Sequence, residues 1–338
     1  MTMLKSEELK ELLAEPKHIV ITTHYKPDGD ALGSSLGLYF WLTAKGHHVN
    51  LIVPSDFPAF LDWLPGLENV QIYTQNINLH NQQIEAADLL FCLDFNGLAR
   101  IHEMGDPIRQ AKGIKCMIDH HLDPEGFEDY AFWDPSAAAT AQLIYRFLVN
   151  EMQDVDNISA DMATCLYTGI MTDTGSFRFR STTSEIHRII ATLIDCGAQN
   201  WAIHEEIYNS SSESRLKFLG FCLLNRLEVI HEYNTAVIHV TKEDLNQFQV
   251  ITGDTEGLVN YALSIKGIRL AALIIDRNEQ IKLSLRSIGE VPCNEICKLY
   301  FNGGGHLNAS GGNSKDSLPV VIAKFKSILP NYKEILTK

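Results

Sequence analysis

Basic residues are scarce in this 338-residue chain. There are 28 Lys and Arg against 42 Asp and Glu, a formal net charge of -14. A protein that tracks long nucleic acid neutralises many phosphates with Lys and Arg, so that class is not expected. A short oligonucleotide or a nucleotide in one local basic pocket is still compatible. The chain also lacks any run of about 18 apolar residues, so neither a membrane span nor a membrane partner is expected. The N-terminal stretch Met1–Lys10 is polar and amphipathic, without an apolar signal core, so a cytoplasmic protein is expected. No C-x-x-C pair occurs, and the cysteines (Cys92, Cys116, Cys165, Cys196, Cys222, Cys293 and Cys297) are odd in number. They read as buried free thiols in a reducing compartment. A zinc site on Cys293 and Cys297 would need a second ligand pair at zinc spacing, and none follows. Repeats and low-complexity tracts are missing too. The remainder is ordinary for a globular protein, 45% hydrophobic and 21% charged. The length favours two domains.

Short apolar runs alternate with helical patterns in the first half. Residues 17–24, 49–53, 87–94 and 115–119 read as strands. A helix with an acidic first turn begins at Asp30, and others cover 137–149 and 160–171. Alternation of this kind implies a mostly parallel sheet flanked by helices. Residues 182–228 look helical and lack strand patterning. Beyond 234 the pattern changes to strands at 235–240, 270–276 and 280–285, with a hairpin turn within 274–281. A helix at 292–300, a glycine-rich run and a final helix after Pro319 follow. The expected fold is α/β, with a catalytic domain over 1–196, a helical connector over 197–228 and a smaller α/β domain over 229–338.

Two stretches place carboxylates and imidazoles together at strand ends. In His24-Tyr25-Lys26-Pro27-Asp28-Gly29-Asp30, Pro27 and Gly29 bend the chain between two carboxylates while His24 approaches from the strand. Alone, Asp28 and Asp30 read equally well as a turn residue and a helix cap. Asp119-His120-His121 closes an apolar strand with three ligand-type residues that would otherwise need buried partners. Asp94 ends another strand, where a turn residue would be unremarkable. Since His24, Asp94 and Asp119 all fall at carboxyl ends of strands, the edge where open α/β sheets bind ligands, they should converge. Carboxylates and imidazoles gathered there suit divalent metals, and paired metals serve phosphoester hydrolysis. Asp173, before Gly175, reads locally as the end of a helix. The run Gly303-Gly304-Gly305-His306 offers backbone N–H groups and an imidazole to an anion, with Arg286 nearby in sequence order. A flexible loop and a surface arginine are the plainer accounts of these two features.

Taken together, His24-x-x-x-Asp28-Gly29-Asp30-Ala31-Leu32-Gly33-Ser34, Asp94, Asp119-His120-His121, Asp173-Thr174-Gly175-Ser176-Phe177 and Gly303-Gly304-Gly305-His306 resemble the DHH phosphoesterases and their DHH-associated C-terminal domain. The motifs run in family order over nearly the whole chain. The subgroup most similar is the nanoRNases, bifunctional oligoribonucleases and 3′-phosphoadenosine 5′-phosphate phosphatases whose relatives also take cyclic-dinucleotide breakdown products. The resemblance implies two divalent ions, manganese being expected. One would be held by His24, Asp28 and Asp94 and the other by Asp30, Asp94, His120 and Asp173. It further implies that Asp119 orients a ligand and that His121 faces the substrate phosphate or the leaving group. Arg286, Gly303, Gly304, Gly305 and His306 would bind the substrate. Short RNA or DNA oligonucleotides or nucleotides are then the expected partners, and a homodimer is allowed. The rival readings are a long-substrate single-strand exonuclease of the same superfamily, a manganese inorganic pyrophosphatase and a non-catalytic nucleotide-binding module.

Overall fold

The four apolar runs of the first half lie side by side in the computed structural model, which describes residues 5–338. The first four residues of the polar N-terminal stretch therefore fall outside the described residues. Six parallel strands form one sheet: β1 (His18–Thr23), β2 (His48–Val53), β3 (Val70–Ile72), β4 (Leu89–Leu93), β5 (Ile114–Asp119) and β6 (Tyr130–Trp133). Their spatial order is β3-β2-β1-β4-β5-β6. All five residues of β4 and all but the first of β1 are buried. That is the signature of strands covered on both faces, and it explains why they appear as unbroken apolar runs. The strand order reverses between β1 and β4, which creates a crevice beyond their carboxyl ends.

The helix Gly29–Ala44 crosses the helix Ala160–Asp173 through small residues at four-residue spacing, Gly29, Gly33 and Gly37. A Cβ on Gly33 would lie 2.4 Å from the Cys165 carbonyl oxygen and 2.9 Å from the Gly169 nitrogen. Both are backbone atoms, so no rotamer change relieves the clash. Gly33→Ala should therefore push the helices apart and cost about 1–3 kcal/mol, read as a lowered urea midpoint with unchanged slope. An unchanged midpoint would show that this crossing is not tight.

The chain divides into compact units at Ser210 and Ser211. This boundary lies inside the stretch read as a connector, 197–228. The helix Asn200–Tyr208 precedes it, and the helix Glu213–Asn225 and the start of a strand follow it. The second unit has a mixed sheet of β7 (Leu227–Ile230), β8 (Thr235–Val240), β9 (Leu270–Asp276), β10 (Ile281–Ser287), β11 (Gly304–His306) and β12 (Ala309–Ser314). The order is β11-β12-β10-β9-β8-β7, with only the β8–β9 pairing parallel. Period-two alternation buries both faces. Val237, Ala272 and Ile274 meet Ile296, Val321 and Phe325, whereas Ala236, Ala271 and Leu273 meet Phe218 and Val259. The glycine-rich run is not an open loop, because Gly304–His306 pairs with Ala309–Gly311 as a β-hairpin.

Among the described residues, no helix is long and apolar enough to cross a membrane. All seven cysteines are free. Six are buried, and Cys196 is partly exposed at the end of the helix Ser184–Asp195, a correction to the reading of all seven as buried.

Candidate metal centre

His24, Asp94 and Asp119 stand where the sheet delivers them, directly after β1, directly after β4 and at the end of β5. Two helices supply the rest. Asp28 caps the helix Gly29–Ala44, with Oδ1 accepting from the Asp30 and Ala31 amides at 3.0 and 3.1 Å. Asp30 is fully buried in the first turn of that helix. Asp173 ends the helix Ala160–Asp173, followed by Gly175 at φ +57. The plain reading of Asp30 as the cap and Asp28 as a turn residue is corrected, since Asp28 is the cap and Asp30 lies inside the first turn, whereas that of Asp173 as a helix end is locally right. Neither placement prevents these carboxylates from facing the crevice.

Asp94 is the hub. His24 Nε2 lies 3.4 Å from its Oδ2, and His120 Nε2 lies 3.4 Å from its Oδ1. Three donor sets that contain Asp94 have all their ligand atoms within 4.8 Å of one another: His24, Asp28 and Asp94; Asp30, Asp94 and His120; and Asp94, Asp119 and His121. His120 Nε2 is also 3.4 Å from Asp173 Oδ2 and 3.8 Å from Asp30 Oδ2. Asp94 takes φ +63, the left-handed region that non-glycine residues rarely adopt. Buried backbone strain of this kind persists where surrounding structure enforces it, often at functional sites.

Two residues at the start of the helix Thr140–Arg146 fix the carboxylates. The Thr140 and Ala141 amides donate to Asp30 Oδ2 and Oδ1 at 2.6 and 2.8 Å, and the Thr140 hydroxyl donates to Asp94 Oδ1 at 2.9 Å. Nothing in the sequence marked Thr140, since a lone threonine opening a helix is commonplace.

The imidazoles are oriented as ligands require. His24 Nδ1 donates to the Tyr25 carbonyl at 3.0 Å and His120 Nδ1 to the Ala137 carbonyl at 3.2 Å. Because a carbonyl only accepts, each Nδ1 carries a proton, so Nε2, which faces the carboxylates, is the nitrogen that can ligate a cation once it gives up its own proton. His121 is held differently, its Nδ1 2.7 Å from Asp119 Oδ1. The other Asp119 oxygen, Oδ2, is buried without a hydrogen-bond partner.

The electrostatics show how strongly this cluster attracts positive charge. Burial pulls the His120 imidazole down, but Asp94, Asp173 and Asp30 outweigh it and hold the group well above its ordinary value. His24 is likewise raised against burial, by Asp94 and Asp28. Burial, reinforced by repulsion from Asp94 and Asp173, drives the Asp30 carboxyl well above the usual carboxylate range. Burial opposes ionisation of Asp94, yet His120 and His24 pull it well below that range. Burial lowers His121, with Asp119 opposing. Crowded carboxylates that raise their neighbouring imidazoles, hard oxygen donors, Nε2 atoms turned toward them and an orphaned Asp119 oxygen all fit divalent cations.

The residues expected to bind substrate lie in the second unit. Arg286 on β10 and His306 on β11 are both in register with Ala309 of β12, so their side chains project from the same face one strand apart. The glycines have other tasks. The Gly303 amide donates to the Cys297 carbonyl at 3.1 Å, and a Cβ there would fall 2.0 Å from the Gly311 oxygen. Gly305 sits at φ +136 with Ala309 close by. The idea of a row of unengaged amides is thus corrected for Gly303, whose N–H is spent on the preceding helix Cys293–Tyr300.

Comparison with known proteins gives a consistent picture. Residues 18–170 match the model of the DHH family, N-terminal domain, and residues 234–336 match the DHHA1 domain. The chain is 33% identical over 299 residues to the bifunctional oligoribonuclease and PAP phosphatase NrnA of Thermus thermophilus, covering 88% of this chain and 84% of the relative. It is 27% identical over 321 residues to the Bacillus subtilis protein of the same name, covering 93% and 96%. A crystal structure of an exopolyphosphatase-related protein from Bacteroides fragilis superposes with a TM-score of 0.93 at 42% identity, over 98% of this chain and 97% of that one.

Proposed function

Since the chain belongs to the DHH family, with a DHH N-terminal domain followed by a DHHA1 domain, we propose that it is a metal-dependent phosphoesterase that hydrolyses short oligonucleotides to mononucleotides, and 3′-phosphoadenosine 5′-phosphate. The observation that carries this reading is the convergence of His24, Asp94 and Asp119-His120-His121 with Asp28, Asp30 and Asp173 at the strand-order reversal.

In this proposal His24, Asp28 and Asp94 hold one divalent ion, and Asp30, Asp94, His120 and Asp173 hold the other. Manganese suits the mixed set better than magnesium, which favours all-oxygen shells. When bound, the pair supplies an acidified water and neutralises phosphoryl oxygens. The chain's own residues do the positioning. Asp94 carries the negative charge common to both donor sets, and Thr140 fixes its Oδ1. Asp119 locks the His121 ring through Nδ1, leaving Nε2 for the substrate phosphate or the leaving oxygen. Arg286 and His306, on one sheet face, take a terminal phosphate or nucleoside with the glycine run Gly303, Gly304 and Gly305 beside them. The catalytic domain is 1–196 and the substrate-binding domain 229–338, linked by 197–228.

The test is hydrolysis in Mn²⁺ of a dinucleotide, a 3′,5′-bisphosphorylated adenosine and pyrophosphate, assayed side by side. The dinucleotide and the bisphosphorylated nucleotide should be turned over and pyrophosphate spared. Turnover of pyrophosphate alone would overturn the assignment.

A further inference from the structure

The loop that follows Asp94 holds a cation that the mechanism above leaves unused. Arg100 belongs to the 3₁₀ segment Leu98–Met104, six residues beyond Asp94. Its carbonyl accepts the Tyr25 N–H at 2.8 Å, and Tyr25 immediately follows His24. The Tyr25 ring stacks on His102, ring centres 4.0 Å apart, and His102 is held at φ +50 within the same segment. Glu125 accepts the Leu98 N–H at 2.7 Å and anchors the segment's other side. These contacts pin the Arg100 backbone against the β1 end of the carboxylate cluster.

The side chain is half-buried. Among the described residues, no carboxylate, carbonyl or ring partners its guanidinium. That is unusual in a chain with 42 acidic residues, several of them gathered a few residues away. The nearby carboxylates are already engaged: Asp28 in its helix cap, Asp94 with His24, His120 and Thr140, and Asp119 with His121. The Arg100 side chain lies within electrostatic reach of both His24 and His121. An unpaired guanidinium fork beside this cluster matches the geometry of two phosphate oxygens.

We propose that Arg100 contacts the scissile phosphate, its fork taking two non-bridging oxygens and stabilising the charge that builds on them during hydrolysis. The inference rests on phosphoester hydrolysis at the Asp94 cluster and assigns that reaction a substrate-contacting residue from the catalytic unit itself. A cation aimed at developing charge acts mainly on kcat, whereas one that grips a remote phosphate acts on KM.

The experiment measures kcat and KM of wild-type, Arg100→Ala and Arg100→Lys proteins on a Mn²⁺-supplemented RNA dinucleotide. Inhibition by inorganic phosphate, manganese content and melting temperature are recorded for each. Arg100→Ala should lose on the order of 100-fold in kcat/KM, most of it in kcat, and resist inorganic phosphate inhibition about tenfold more. Arg100→Lys should recover part of the rate, because it restores charge without the fork. Manganese content and melting should stay at wild-type values. Wild-type kcat in Arg100→Ala, a loss confined to KM, or a joint fall of activity, metal content and melting would each overturn the inference while leaving the hydrolase reading intact. A wild-type protein with no phosphoester turnover would instead overturn the hydrolase reading and this inference with it.

Discussion

Asp94→Asn should abolish most turnover, about 10³-fold or more, and lower manganese occupancy while the protein stays folded. The substitution isolates one variable. Asn keeps the shape of the side chain and a carbonyl oxygen able to accept the Thr140 hydroxyl now 2.9 Å from Asp94 Oδ1. It also tolerates the left-handed backbone at φ +63, which would strain an alanine. What it removes is the negative charge shared by all three Asp94-containing donor sets. Two cations about 3.5–4 Å apart repel strongly unless an anion lies between them, so both affinities should fall together. In the metal-free protein the change relieves Asp94–Asp30 repulsion but costs pairing with His24 and His120, so stability should move little. The readouts are elemental analysis after gel filtration, melting, and initial rates on a dinucleotide. A folded Asp94→Asn protein with near-normal rate and metal content would sink the two-metal assignment.

The parts of this centre that were legible from sequence share one physical origin. Strands β1, β4 and β5 are buried on both faces, so they show as apolar runs, and the polar residue closing each run marks the ligand edge. Asp28 and Asp30 became legible as ligands only beside the other clusters, and Asp173 needed the resemblance to a known family, because a helix end is an ordinary place for aspartate. Thr140 and Arg100 carried no local signal at all. Their roles depend on which backbone segments meet, and that is decided by the crossing of Gly29–Ala44 with Ala160–Asp173 and by the Tyr25–Arg100 hydrogen bond. The strands that went unread are short or glycine-rich. β3 and β11 have three residues each, and β6 and β7 have four. β12, Ala-Ser-Gly-Gly-Asn-Ser, has almost no intrinsic strand preference. It is extended because β10 pairs with it from Ile281 to Arg286, a tertiary influence that overrides propensity. That same pairing brings Arg286 and His306, 20 positions apart in sequence, onto one face.

Substrate length should have the second large effect, with kcat/KM greatest for RNAs of roughly two to five nucleotides and falling for longer strands, since each added phosphate meets a protein of acidic net charge. The gain from extending a polyanion along a protein comes from displaced counterions, and it requires a cation for each phosphate. Here the candidate cations are few: Arg100 beside the Asp94 cluster, and Arg286 with His306 on the second sheet. With about two phosphates neutralised, log(kcat/KM) should fall with log[salt] at a slope near -1.4, far shallower than for an enzyme that grips a long strand. Arg286→Ala should make that slope shallower by about 0.7 and weaken the preference for short substrates, while manganese content stays unchanged. The measurement is a series of 5′-labelled RNAs from two to about twenty nucleotides, at matched Mn²⁺ and several salt concentrations. Efficiency that holds level or rises out to twenty nucleotides, with a steep salt slope, would mean that an extended cationic track exists. It would also put the long-substrate exonuclease reading ahead of the one proposed here.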